Sequence, residues 1–482
     1  MRLSSGEGLT IPLQTSAVSA EPGGLSRARL LRGGMFFGFS QFAGMALGFL
    51  SSMALFRVAD KTAVASYTLL QQAIMAVGMI LQLGLGAAAL RYVPVCRGRG
   101  GERAMAVLRR RLFGIQVALW VVVIPALALV WPVVARRLDA PELGRATVFL
   151  VAAALLTSFG HLADNYLRSF RLYVLSASLT HLVPRAFILG SFLFLLLLNP
   201  GREPWEVLAS IYLGSILVSA LGYALALRAT SAGEGSEPRQ ALPPPSVREI
   251  LGTSSAMGLR SAAAVLFVSS SLWVLSWARP HEEVAVYAAA AALLQIMAAI
   301  PGISNFVIPQ EFPALFADGR TADLEKLART AATLVAILSL GCLAGILLFG
   351  RPLIRLAYGD AYAGAWGILL VLAVGSFWDS ASGAAGYALQ MTGHHVRLLL
   401  MTIAGAVLNI VLSLVLAPIW GGYGIAAATS MTLIVLNVAM VRAARSLLGV
   451  RTFVYTRPDQ WKGALRIVGE SGWSSWKGNR RP

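Results

Sequence analysis

The chain has 482 residues, of which 57% are hydrophobic and only 13% charged, with a mean hydropathy of +0.70. That composition excludes a soluble multidomain protein, whose helices would each keep a wet face, and makes the bilayer the solvent. The formal charge of +18 raises nucleic acid as a partner, but the basic residues gather between apolar runs and so report membrane topology instead.

The first 26 residues are polar and rich in Gly and Ser. A cleaved signal peptide needs a shorter apolar core and a small-residue cleavage site, so the first span is read as uncleaved. Runs of about 20 apolar residues, each able to satisfy its own backbone in hydrocarbon, predict twelve transmembrane helices. They fall at 33–56, 64–90, 111–134, 146–167, 173–198, 206–228, 252–278, 284–309, 328–350, 364–390, 398–418 and 422–444. The fold class is all-α and polytopic, with two pseudo-symmetric six-helix bundles in the same membrane orientation. The bundles occupy 33–228 and 251–446, between a cytoplasmic segment 1–32, a linker 229–250 and a basic tail 447–482.

Basic residues assign the sides. Arg27, Arg29 and Arg32, the run from Arg91 to Arg111, and the tail from Arg442 to Arg481 all fall on one side if the N-terminus is cytoplasmic, as the positive-inside rule requires. Both termini are then cytoplasmic. Arg136, Arg137 and Arg145 are the local exception, beside Asp139 and Glu142. Cys96 falls at a cytoplasmic helix end and Cys342 within an apolar span, which gives no disulfide framework.

Repetition supports duplication. The second span begins at Tyr67 and leads through Gln71, Gln72 and Gln82 to Pro94 and an Arg-rich loop; Tyr287, Gln295 and Pro313 repeat that order at nearly the same spacing. The linker's Gly, Ser and Pro prevent a packed core, and Pro243, Pro244 and Pro245 stiffen it. It is either a tether for two rocking bundles or a plain surface loop.

Ionisable residues inside spans are costly unless they face a cavity or a partner. Arg260 in the seventh span and Arg185 in the fifth both lie near the midplane. They either line a cationic cavity for an anionic headgroup, since guanidinium forks match phosphate oxygens, or pair with Asp164 and Asp379 to fix helix register. His181 shares a face with Arg185, as His161 and Asp164 do with Arg168. Both histidines also fit a packing role. Asp379, in GSFWDSASGAAG, and Asp164 are candidates for coupling to H+ or Na+. Gln41, Gln71, Gln82, Asn305, Asn409 and Asn437 either bind sugar hydroxyls or hydrogen-bond between helices.

The C-terminal half carries Gly359-Asp360-Ala361-Tyr362, Leu389-Gln390-Met391-Thr392-Gly393, Asn409-Ile410-Val411-Leu412, Pro418 and Gly422-Tyr423-Gly424-Ile425-Ala426-Ala427-Ala428. Arg57, Tyr67, Leu83-Gly84-Leu85-Gly86 and Arg91 stand in the N-terminal half. In order and spacing, over about residues 30–446, the chain resembles the polysaccharide-transport family of lipid-linked oligosaccharide flippases. That family lies within the multidrug/oligosaccharidyl-lipid/polysaccharide exporter superfamily, whose multidrug exporters share the two-bundle fold. The resemblance implies alternating access and transfer of an isoprenoid-diphosphate-linked glycan across a bacterial inner membrane, with Arg57 a further cavity candidate. Relatives that flip the cell-wall precursor commonly have more helices and more arginines in the first two. An O-antigen, exopolysaccharide or capsule repeat unit is therefore the expected substrate, with a polymerase or export machinery as partner.

None of the four lysines stands in a G-x-x-x-x-G-K-[ST] loop, and neither H-E-x-x-H nor a Cys cluster occurs. No nucleotide chemistry, metal or cofactor is expected, and the chain reads as a transporter and not an enzyme. A cation-coupled drug exporter is the alternative; a membrane glycan polymerase would need external catalytic residues that the short loops do not supply. The tail's Trp461, Trp473 and Trp476 among basic residues either rest on the anionic inner leaflet or leave the tail free of membrane lipid.

Overall fold

A computed structural model describes residues 27–97, 101–137, 144–198, 203–231, 244–302, 315–316, 318–455 and 461. The first six crossings are α1 (Arg27–Val58), α2 (Lys61–Gln82) continued by α3 (Leu85–Val95), α4 (Gly101–Arg137), α5 (Thr147–Ser169), α6 (Tyr173–Leu198) and α7 (Trp205–Ser231). The next four are α8 (Val247–Ala278), α9 (His281–Ala298), α10 (Thr321–Tyr358), and α11 (Ala365–Ser382) continued by α12 (Ala385–Met391). The last helical run, His395–Leu448, has non-helical backbone at Gly421 (φ 56°, ψ −132°); α13 and α14 are its parts before and after that residue. Among the described residues, eleven helices are long and apolar enough to span a membrane. At 1.5 Å per residue the last is far too long for one crossing, so the turn at Gly421 makes two of it.

Two sequence expectations change. The predicted span 64–90 is not continuous: Leu83 (φ 44°) and Gly84 (φ 69°) are left-handed and end α2. Hydropathy reads composition, not dihedrals, and misses this break. The predicted span 364–390 breaks likewise at Gly383 (φ 67°). Asn305, from the predicted span 284–309, and Pro313, the repeat's counterpart of Pro94, lie outside the described residues, as do linker residues 232–243 and Trp473 and Trp476 of the tail. Beside the linker, α7 runs to Ser231 and α8 begins at Val247. Arg111 of α4 donates to the carbonyls of Pro244 (3.1 Å) and Pro245 (2.6 Å), pinning the linker's end. Ser246 and Glu249 then cap α8 reciprocally.

We call the side on which α7 ends and α8 begins the linker face. Towards the opposite face one apolar cluster joins both halves, with Phe56, Tyr67 and Phe192 from the first and Leu275, Tyr358 and Ile425 from the second. Arg57 adds a polar lock there: it donates from Nε to the Ala357 carbonyl at 3.2 Å and from Nη2 to the Leu356 carbonyl, a cation on the C-terminal carbonyls of α10. At the linker face the core is divided. Leu85, Val93, Leu108 and Tyr166 form one cluster, and Leu324, Ala388, Ala444 and Val450 another.

Small residues set the helix contacts, as expected where lipid removes the hydrophobic drive between helices. A Cβ on Gly84 would stand 2.3 Å from the Ser254 carbonyl oxygen, and one on Gly258 would stand 2.5 Å from the Leu83 carbonyl carbon. The break after α2 and the middle of α8 therefore touch backbone to backbone.

Candidate functional site: a basic cavity at the linker face

A cavity of about 990 Å³ opens between α3 and α8 on one side and α12 and α13 on the other. Arg91 and Tyr92 enter from α3, Glu249, Thr253 and Arg260 from α8, Gln390 from α12 and His395 from α13. Arg260 lies about 20 Å along α8 from its start, at 1.5 Å per residue, and is half-buried. Its Nη1 donates to Gln390 Oε1 at 2.6 Å, which fixes the guanidinium without neutralising it. Arg91 reaches Thr253 Oγ1 at 3.4 Å and lies over the Tyr92 ring, 5.4 Å from its centroid. Glu249 is the one acidic side chain among the lining residues, and its Oε2 accepts the Ser246 backbone N–H at 2.7 Å. The cavity thus offers two arginines and no uncommitted carboxylate, a setting that favours a dehydrated anion.

Arg185 takes a different place. It lies across α1, where a Cβ on Gly44 would stand 2.6 Å from its Nη1 and one on Gly48 3.7 Å from its Cδ. That Nη1 is buried without a hydrogen-bond partner, and Arg185 is not among the residues lining the linker-face cavity. Among the described residues neither Arg185 nor Arg260 pairs with an aspartate, so the register-fixing alternative is set aside. Asp164 instead binds Arg168 at 2.8 Å and accepts from Ser176 (2.5 Å), Thr180 (2.9 Å) and Tyr223 (3.3 Å). These bonds surround a π turn at Ser178–Leu182 that carries His181. His161 Nε2 is buried nearby, and its backbone carbonyl accepts from Asn165. Asp379 accepts from Asn437 Nδ2 at 2.9 Å, between α11 and α14.

Other candidates serve packing. Asn409, wholly buried, donates to the Phe267 carbonyl (3.0 Å) and to Ser271 Oγ (3.1 Å), so it ties α13 to α8 and does not line the cavity. Gln71 bonds Tyr212, Gln82 is buried beside Gly86, and Arg57 is at the opposite face. Among these residues only Arg260 lines the linker-face cavity. Sequence reasoning gave Arg91 and Gln390 only as parts of the family motifs and not as site residues, because a basic run at a helix end is already explained by topology and a single Gln has many roles; His395 carries no signal of its own.

Residues 30–316 match a family described as polysaccharide biosynthesis protein. That stretch is more than half of the 482 residues. The chain belongs to the polysaccharide biosynthesis protein family. No curated protein matches it in sequence. In fold it is similar to a lipid II flippase, MurJ, in an inward closed conformation, with a TM-score of 0.69 at 11% identity over 90% of this chain and 92% of that one. It is similar as well to a multidrug resistance MATE transporter of the MOP superfamily in an inward-facing conformation, with a TM-score of 0.67 at 16% identity over 84% and 94%. A MOP superfamily transporter from Pyrococcus furiosus, described as having a binding pocket of reverse polarity, gives 0.62 at 17% over 87% and 96%. This member of the polysaccharide biosynthesis family is thus a multi-pass membrane protein with the MOP transporter fold.

Proposed function

We propose that the protein is a flippase that moves an isoprenoid-diphosphate-linked oligosaccharide repeat unit across the bacterial inner membrane for surface polysaccharide synthesis. The observation that carries this reading is the linker-face cavity, where Arg91 and Arg260 stand on two different elements of the helix interface, neither in an ion pair among the described residues. Guanidinium groups suit a diphosphate because they stay charged when dehydrated and bond its oxygens two at a time. The cavity's size falls at the upper end for small-ligand sites, enough for a headgroup but not for the lipid, whose chain stays in the bilayer. Membership in the polysaccharide biosynthesis family supports a glycan cargo over an organic cation.

In this reading the linker face is cytoplasmic and both termini lie on that side, as the basic run from Arg91 to Arg111 supports. The two six-helix halves move about the bilayer midplane in alternating access, and Arg185 offers its Nη1 as the headgroup travels from the linker face towards the opposite face. Asp379 with Asn437, and Asp164 with its ring of hydroxyls, are the sites for a coupling H+ or Na+. A polymerase or export assembly receives the product on the opposite face.

The test is flipping of a short-chain, diphosphate-linked glycolipid in proteoliposomes. The reading expects protein-dependent flipping that inorganic diphosphate inhibits and organic cations leave unchanged. Protein-dependent export of organic cations with no glycolipid flipping would reject it.

A further inference from the structure

The described part of the tail is not loose. Residues 450–455 cross the linker-face ends of α10 and α11, and their bonds follow a register. Arg451 N–H donates to Glu325 Oε2 (3.1 Å), the Phe453 carbonyl accepts from Arg329 Nε (3.3 Å), and Tyr455 N–H donates to Thr333 Oγ1 (3.2 Å). Every second strap residue thus meets every fourth residue of α10. On the other side Val454 N–H donates to the Ala381 carbonyl at 3.0 Å. The Arg329 guanidinium also lies over the Tyr455 ring, 4.2 Å from its centroid.

The strap passes over the joint from which α12 departs. A Cβ on Gly383, itself at φ +67°, would stand 2.7 Å from the Thr452 carbonyl oxygen. Val450 packs in one apolar cluster with Ala384, at the joint, and Ala388 of α12. α12 in turn carries Gln390, the hydrogen-bond partner of Arg260. We infer that residues 450–455 are a positioning element for the basic cavity, holding α12 so that Gln390 presents the Arg260 guanidinium to an anion. The inference rests on the proposed function only for what the anion is; the hold on α12 is tested separately.

The reporter is Met391→Cys, at an exposed residue lining the cavity beside Gln390, in a full-length chain with Cys96→Ser and Cys342→Ser. Its maleimide labelling rate is measured in detergent, alone and against rising inorganic diphosphate. Tyr455→Ala should raise the rate and the half-protecting diphosphate concentration about fivefold, the scale of one lost cation–π contact, and Arg329→Ala, which also loses the bond to the Phe453 carbonyl, at least as much. Tyr455→Phe, which keeps the ring and the backbone bond, and truncation after Trp461 should behave as the parent. Unchanged labelling and protection in both alanine variants, with elution like the parent's, would overturn the inference. Faster labelling in those variants, with no diphosphate protection even in the parent, would uphold the strap's hold on α12 and reject the anion site.

Discussion

Arg260 is a charge inside an apolar run, and the structure answers its cost with a neutral partner. Gln390 accepts one N–H of its guanidinium and leaves the positive charge available. Gln390→Glu would keep that bond and cancel the charge. It should lower flipping at subsaturating glycolipid about tenfold, the effect of 1.4 kcal/mol, while Gln390→Ala should lower it less; proteoliposome rates at several lipid concentrations check the order. The sequence exposed Arg260 because an ionisable residue deep in a span stands out against hydrocarbon. Arg91 did not stand out, since the positive-inside rule already accounts for basic residues at a helix end. Asn409 was open in the sequence between a cavity and an interhelical bond, and its bonds to Phe267 and Ser271 favour the second, glue between helices.

At the scale of elements, the breaks matter more than the helices. The spans were legible because each needs its own apolar run, but the reversals at Leu83–Gly84 and Gly383 lie within apolar stretches that hydropathy reads as continuous. The first lets α3 turn towards α8, bringing Arg91 and Arg260 to one cavity. Gly84→Ala would place a methyl 2.3 Å from the Ser254 carbonyl oxygen and strain a left-handed residue. It should destabilise the protein by about 2 kcal/mol, read as a lowered melting temperature in detergent, whereas Gly114→Ala, with open space around its Cβ position, should not. The tail likewise divides at a point composition does not mark. Residues 450–455 belong to the packed bundle because their backbone bonds α10 and α11.

Across the whole molecule the two faces differ in how the halves meet. A single apolar cluster seals the opposite face, reinforced by Arg57 on the end of α10 and by the Ser52–Tyr358 hydroxyl pair at 3.2 Å. Lys61 Nζ sits 5.7 Å from the Tyr362 ring centroid. Burial, and then the nearby Asp60 carboxylate, push the Tyr362 phenol up from its ordinary value, so the ring stays neutral beneath that cation. The proposed alternating access requires this lock to open. Arg57→Ala removes two charge-assisted bonds and should increase maleimide labelling of a Ser52→Cys reporter from the opposite face about tenfold; an unchanged rate would show that the apolar seal alone holds the face shut.

The central claim is that Arg91 and Arg260 together hold the anionic headgroup of a glycolipid cargo. The most direct measurement is flipping of a short-chain diphosphate-linked glycolipid in proteoliposomes by the wild type, Arg91→Ala, Arg260→Ala and the double variant. The account predicts about a tenfold loss in each single variant, the scale of one charge-assisted contact, and near-background flipping in the double, with all four proteins reconstituting equally. Wild-type rates in the double variant would contradict it.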